Sequence, residues 1–198
     1  KTNKEHFKKI IAPNGERIVA HTSNFRKVKR VEDVILIFKK IFEKVPSKLL
    51  MIGDGPERQN AERMCREMGL CDEVRFLGKQ DAIEELLAIC DLFVIPSESE
   101  SFGLAALEAM ACEVPVISSN SGGLPEVNIH GVTGFMSDAG NVNEMARYAI
   151  DLLQNEEMLA RFRTNALAQA RRFDIDNVLP DYEAYYEEIL EKSVFKVV

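Results

Sequence analysis

Two glutamates with a glycine between them are the residues of this chain best placed to do chemistry. They lie in Pro96-Ser97-Glu98-Ser99-Glu100-Ser101-Phe102-Gly103-Leu104-Ala105-Ala106-Leu107-Glu108. Gly103 sits near the start of an apolar helical pattern, 102–111, with Ser101 as its expected N-cap. A glycine there exposes backbone N–H groups, and these, with the helix dipole, favour anions. Glu100 falls just before the helix and Glu108 well inside it. Carboxylates on either side of an anion-binding helix end can accept hydrogen bonds from sugar hydroxyls flanking a diphosphate. Two solvated glutamates are the plainer account. Glu108, set among Leu107, Ala109, Met110 and Ala111, fits that account less well.

A second group complements the first. Arg26, Lys27, Lys29 and Arg30 place four cations within five residues, just before another helical pattern. Arginine offers phosphate a planar fork and lysine a point charge; the alternative is a solvated basic loop. Gly53-Asp54-Gly55-Pro56 opens like a dinucleotide fingerprint, but Arg58 stands where the third glycine belongs, which disfavours NAD. It is read as a tight turn where a ligand approaches the backbone, with Pro56 in the first turn of a helix. Asn120–Glu126 either lines the same cleft or is a structural turn. Asp174-Ile175-Asp176 has the spacing of a D-x-D metal motif but falls between two helical patterns, so it reads as capping. No P-loop occurs, and His6, His21 and His130 are scattered without ligand spacing, so no metal site is expected.

These loops need a scaffold. Short apolar runs at 17–22, 48–52, 73–77, 92–95, 114–118 and 134–136 have the character of strands buried on both faces of a parallel sheet. Helical patterns at 31–43, 57–68, 81–89 and 102–111 alternate with them, the third opened by a capping pair, Asp81 and Glu84. The alternation predicts an α/β fold: a doubly wound, Rossmann-like parallel sheet of about six strands, helices on both faces. Beyond residue 140 the patterns at 141–153, 156–171 and 177–191 are helical only. The last carries Tyr182, Tyr185, Tyr186, Ile189 and Leu190 at helical spacing, a stripe expected to pack on the domain body. The expected divisions are an N-terminal segment, 1–15, a ligand-binding domain, 16–172, and a C-terminal helix, 173–198. Open parallel sheets bind at the carboxyl ends of their strands, where the loops above lie.

The composition agrees. The 198 residues are 46% hydrophobic and 29% charged, enough to build one sizeable core and too apolar for disorder. No stretch reaches the roughly 20 apolar residues of a membrane span. The net charge is −7, yet residues 1–50 hold 13 Lys/Arg against 5 Asp/Glu. This polarity suits either a local anion site or a basic surface of exposed helices, and the acidic whole discourages nucleic acid. Cys65, Cys71, Cys90 and Cys112 form no C-x-x-C pair, which suits a reducing cytoplasm. The first residue is not Met, and Lys1–Lys9 lacks the apolar run of a secretion signal; a piece of a longer chain is expected.

Taken in order, Lys29, Gly53-Asp54-Gly55-Pro56, Phe76-Leu77-Gly78, Glu100-x7-Glu108 around Ser101-Phe102-Gly103, and Gly122-Gly123-x-Pro125-Glu126 resemble the C-terminal half of retaining glycosyltransferases of family 4, which have the two-domain GT-B fold. The resemblance covers roughly residues 16–190. It implies that Lys29 contacts the donor diphosphate and that Gly78, Lys79 and Gln80 hold the nucleotide base. It further implies that Glu100 faces the donor sugar, that the stretch Ser101, Phe102, Gly103, Leu104 meets sugar and phosphate, and that Glu108 holds the ribose. The family's Gly-Arg is replaced here by Ser23-Asn24, so Arg26 is the substitute cation. Glu100, Lys29 and Arg26 are then the catalytic group, without metal or cofactor. Ser23–Asp33 and Gly78–Asp81 look closest to the branch that moves N-acetylglucosamine from UDP to L-malate in bacillithiol biosynthesis. The implied partners are a nucleotide sugar and the chain's own N-terminal acceptor domain, toward which the C-terminal helix, 173–198, would pack, with a homo-oligomer left open. A nucleotide-sugar epimerase half and a non-catalytic nucleotide-binding module are the alternatives.

Overall fold

The computed structural model describes residues 2–194. Along the chain run α1 (Thr2–Ile11), β1 (Arg17–Ser23), α2 (Val31–Phe42), β2 (Ser47–Gly53), α3 (Arg58–Glu67), β3 (Val74–Gly78), α4 (Ile83–Leu87), β4 (Leu92–Ile95) and α5 (Leu104–Ala111). There follow β5 (Val116–Ser119), α6 (Leu124–Val127), β6 (Gly134–Ser137), α7 (Val142–Gln154), α8 (Glu156–Ala170) and α9 (Ile175–Val194). The six strands form one sheet in the order β3-β2-β1-β4-β5-β6, and every pair is parallel. This is the doubly wound Rossmann-like order, whose direction of winding reverses between β1 and β4.

The strands read as continuous apolar runs because the sheet is covered on both sides, and the two-residue period sorts their side chains between two cores. Val19, Leu49, Met51, Leu92, Val94 and Ile117 face α2, α3 and α7. Ile18, Ala20, Leu50, Ile52, Phe93, Ile95 and Val116 face α5, α6 and the end of α8.

Three expectations need correction, and the segment 1–15, to which no element is assigned from sequence, has one. Residues 1–15 contain a helix, α1, which sends Ile11 into the second core while Phe7 and Ile10 stay exposed. Its many charges hide the period. Helix α5 starts at Leu104 with Gly103 as N-cap, so Ser101 does not cap it. Asp81 and Glu84 form no capping pair, because the N-cap of α4 is Ala82, with no side-chain bond. Likewise α3 starts at Arg58, beyond Pro56.

A fourth correction concerns the tyrosine stripe. It does not pack on the domain: Tyr182, Tyr185 and Tyr186 are 58%, 59% and 63% exposed, and Ile175 and Leu190 are also exposed. The second core is closed by α1, α5, α6 and α8, and no described residue of α9 belongs to it. Asp174 does act as a cap, its carboxylate accepting the N–H of Asp176 at 3.2 Å. No described helix is long and apolar enough to cross a membrane.

Candidate functional site

At the carboxyl ends of β1 and β4, where the winding reverses, a hollow opens. Thr22, Ser23, Asn24 and Lys29 line one side; Glu100, Ser101, Gly103, Leu104 and Ala105 line the other. Two adjacent strands feeding helices on opposite faces leave a crevice at this point of the sheet.

The loop after β4 is braced from behind. The Gly123 N–H donates to the Glu100 carbonyl at 3.0 Å, and a Cβ on Gly122 would fall 1.8 Å from the same oxygen. Asn120–Glu126 is therefore a structural buttress of the Glu100 loop. The β1 loop is braced in the same manner: a Cβ on Gly53 would lie 1.9 Å from the Ser23 carbonyl, and one on Gly55 2.1 Å from that of Asn24. In Gly53-Asp54-Gly55-Pro56, then, the glycines admit a neighbouring backbone, whereas the sequence suggested the approach of a ligand.

Inside the hollow the two sets of residues meet. Lys29 Nζ lies 2.6 Å from Glu100 Oε1, which also accepts the Ser97 hydroxyl at 3.0 Å. The pair is mostly shielded, at 20% and 11% side-chain exposure. The first turn of α5 has no side-chain cap, so its leading N–H groups are free for a ligand beside Gly103, Leu104 and Ala105.

The four cations separate by environment. Arg30 is committed to Asp33 at 2.5 Å and to Glu98, and these contacts, with Asp33 foremost, raise its pKa. Lys27 lines a neighbouring depression together with Arg30 and Glu57. Arg26 is exposed at the entry of the 3-10 turn Lys27–Lys29, outside the lining of the hollow, and forms no ion pair among the described residues.

The remaining predicted residues lie further out. Glu108 is exposed one turn beyond Leu104 on the same helix; partial burial, then Glu84, raises its carboxyl pKa. Gly78 ends β3 and is followed by Lys79 and Gln80, both exposed, two strands from the crevice; the Gln80 side chain donates to the Leu77 carbonyl at 2.7 Å. Phe102 packs edge-on against Phe173, with ring centroids 5.5 Å apart. Thus Lys29, Glu100, Ser101, Gly103 and Leu104 are brought together, while Arg26, Gly78, Lys79, Gln80, Phe102 and Glu108 lie outside the lining of the hollow.

Sequence reasoning missed His21 and Thr22. Thr22 lines the hollow with a buried hydroxyl that has no hydrogen-bond partner among the described residues. His21 is fully buried, and burial pushes its pKa down to about 4 from 6.5, with the Lys29 charge lowering it further. A lowered histidine pKa disfavours the charged form in the fold. Its contribution is complete above pH 6.5 and is lost as pH falls toward 4, by about 3 kcal/mol in total. Denaturant titrations between pH 7 and 4.5 should therefore show His21→Gln losing less stability on acidification than the parent; parallel curves would refute this.

Residues 2–169 match the model of the glycosyl transferases group 1 family. The chain is 45% identical over 176 residues to N-acetyl-alpha-D-glucosaminyl L-malate synthase of Bacillus anthracis, covering 88% of this chain and 46% of that protein. It is 33% identical over 153 residues to D-inositol 3-phosphate glycosyltransferase of Mycolicibacterium smegmatis, covering 73% of this chain and 34% of that protein. The chain thus spans at most about half the length of these relatives. Among solved structures, Anabaena HepE in complex with UDP and glucose superposes with a TM-score of 0.86 at 25% identity, over 94% of this chain and 52% of that one. With the family match over most of its length and the sheet order the GT-B resemblance requires, the chain belongs to the glycosyl transferases group 1 family.

Proposed function

We propose that this chain is the donor-binding half of a retaining glycosyltransferase. It would take N-acetylglucosamine from UDP-N-acetylglucosamine and deliver it to L-malate held by a domain outside the chain. One observation carries the reading: Lys29 and Glu100 face each other beside the uncapped start of α5, in the crevice between β1 and β4. The donor and acceptor follow the relative from Bacillus anthracis, and the UDP moiety is also that of the complex with HepE.

In this reading the bond from the anomeric carbon to the diphosphate oxygen breaks as the acceptor hydroxyl oxygen bonds to that carbon on the same face, and the hydroxyl proton passes to the departing diphosphate oxygen. Lys29 and the N–H groups of α5 neutralise the charge growing on the departing diphosphate. Arg26, uncommitted and in the same loop, supplies the second cation. Glu100 serves the sugar hydroxyls and Glu108 the ribose; the backbone from Gly78 to Gln80 serves the base. No metal or cofactor takes part, and the setting is the cytoplasm. The exposed apolar face of α9, from Ile175 to Leu190, is where the acceptor domain would dock.

Calorimetric titration tests the reading. The 198-residue chain should bind UDP at least about tenfold more tightly than uridine, since diphosphate contacts are charge-assisted. EDTA should leave that affinity unchanged, and the chain alone should transfer no sugar. Equal affinity for UDP and uridine would defeat the proposal.

A further inference from the structure

We propose that His21 and Ser23 are positioning residues that set the loop carrying Lys29. The proposal rests on the donor-site reading for its ligand, although its geometry stands apart from it.

The hydrogen bonds can be assigned by elimination. His21 Nδ1 lies 2.8 Å from the Val94 carbonyl oxygen on the adjacent strand β4. A carbonyl only accepts, so Nδ1 carries the ring proton. Nε2 of the neutral ring is then an acceptor, and Ser23 Oγ, 2.9 Å away, donates to it. With its proton so directed, Ser23 Oγ has lone pairs left, and the Phe25 N–H donates to one of them at 3.2 Å. A relay thus runs from the β4 backbone through two side chains to the backbone of Phe25. The imidazole itself is held on both sides, stacked 6.1 Å from Phe25 and 6.5 Å from Phe93.

The end of this relay is where the chain needs holding. Phe25 has φ of 38° and Arg30 has φ of 49°, both in the left-handed region that bulky residues avoid. Between these two lies the 3-10 turn Lys27–Lys29, closed by the Lys29 N–H to the Arg26 carbonyl at 2.8 Å. The exit is tied by Arg30 to Asp33 and Glu98. The entry is tied by Ser23, together with the Glu57 N–H that donates to the Phe25 carbonyl at 2.9 Å. The direction in which Lys29 reaches the hollow is therefore fixed partly at Ser23, three residues before the first cation. Ser23 cannot offer its proton to a ligand while His21 holds it, so its role in the ligand-free chain is geometric.

Two measurements on the 198-residue chain decide the matter. Hydrogen exchange without ligand should show the amides of Lys29 and Arg30 exchanging about tenfold faster in Ser23→Ala than in the parent, with β1 still protected. Ser23→Thr, which keeps the hydroxyl, should restore protection, and His21→Gln provides a second break in the relay. UDP titration should show Ser23→Ala weaker by about five- to tenfold, with uridine unaffected. In the Ser23→Ala background, Lys29→Ala should cost less than it costs the parent, because a mispositioned lysine has less to lose. If the amides stay as protected in Ser23→Ala as in the parent, or the two losses simply multiply, the relay does not position Lys29 and the proposal falls. If the loop loosens as expected but the parent binds UDP no better than uridine, the relay stands and the donor reading fails instead.

Discussion

Lys29→Ala is expected to weaken UDP binding by at least about tenfold, whereas Glu100→Gln is expected to strengthen it. The opposite signs follow from the 2.6 Å contact between the two side chains. A charge-assisted hydrogen bond contributes about 1.5–3 kcal/mol, and that loss is the floor for Lys29→Ala. The variant also leaves the Glu100 carboxylate, 11% exposed, without its cation and facing an incoming diphosphate. Glu100→Gln keeps the shape but no longer competes with the diphosphate for Lys29, so UDP gains several-fold. UDP-N-acetylglucosamine should not gain in this variant, because the carboxylate that would accept the sugar hydroxyls is gone. Lys27→Ala, on the neighbouring depression, is the control and should change UDP affinity by less than about twofold. Calorimetry with UDP, uridine and the sugar nucleotide separates these outcomes. A Glu100→Gln variant that binds UDP more weakly than the parent would show that the pair does not compete with the ligand.

The parts of this arrangement legible in the sequence are those governed by local rules. Strands β1, β2 and β4 appear as apolar runs because both faces of the sheet are covered, and α2 and α7 carry clear helical periods. Gly103 announces the start of α5 through its residue type, since its φ of 97° lies in the region that favours glycine. Interactions between distant residues were not legible. The resemblance singles out Lys29 and Arg26 among the four cations, but only the fold pairs Arg30 with Glu98 and Lys29 with Glu100. Gly53 and Gly122 read as ligand-facing or as turns, while their actual constraint is a carbonyl from another loop under 2 Å from where a Cβ would stand. His21 gave no signal, since a single histidine in an apolar strand looks like any buried residue until Val94 and Ser23 are placed around it. The tyrosine stripe of α9 misled because helical spacing says that a face is apolar without saying what covers it.

The largest loss of stability is expected at the opposite end of the sheet, in Asp91→Ala. Asp91 precedes β4 and is 1% exposed. Its Oδ2 accepts the Ile18 N–H at 2.9 Å, and its Oδ1 accepts Arg163 Nη2 at 2.6 Å and Lys8 Nζ at 3.3 Å, with Arg17 Nη1 3.7 Å away. One carboxylate therefore joins α1, β1 and α8 at the foot of the switch between β1 and β4. Removing one partner of a buried ion pair costs about 3–5 kcal/mol. Lys8 and Arg163 are 41% and 34% exposed and regain water, which reduces the expected loss to about 2–3 kcal/mol. The buried Ile18 N–H cannot recover in the same way. For a chain of this size that corresponds to a Tm lower by about 5–10 °C. Asp91→Asn keeps an acceptor for Ile18 and loses only the charge, so it should fall between the parent and the alanine variant. Because Asp91 stands at the amino ends of the strands and the hollow at their carboxyl ends, UDP affinity measured well below Tm should be unchanged in both variants. A thermal melt of Asp91→Ala within about 2 °C of the parent would show that the buried carboxylate is not what ties α1 and α8 to the sheet.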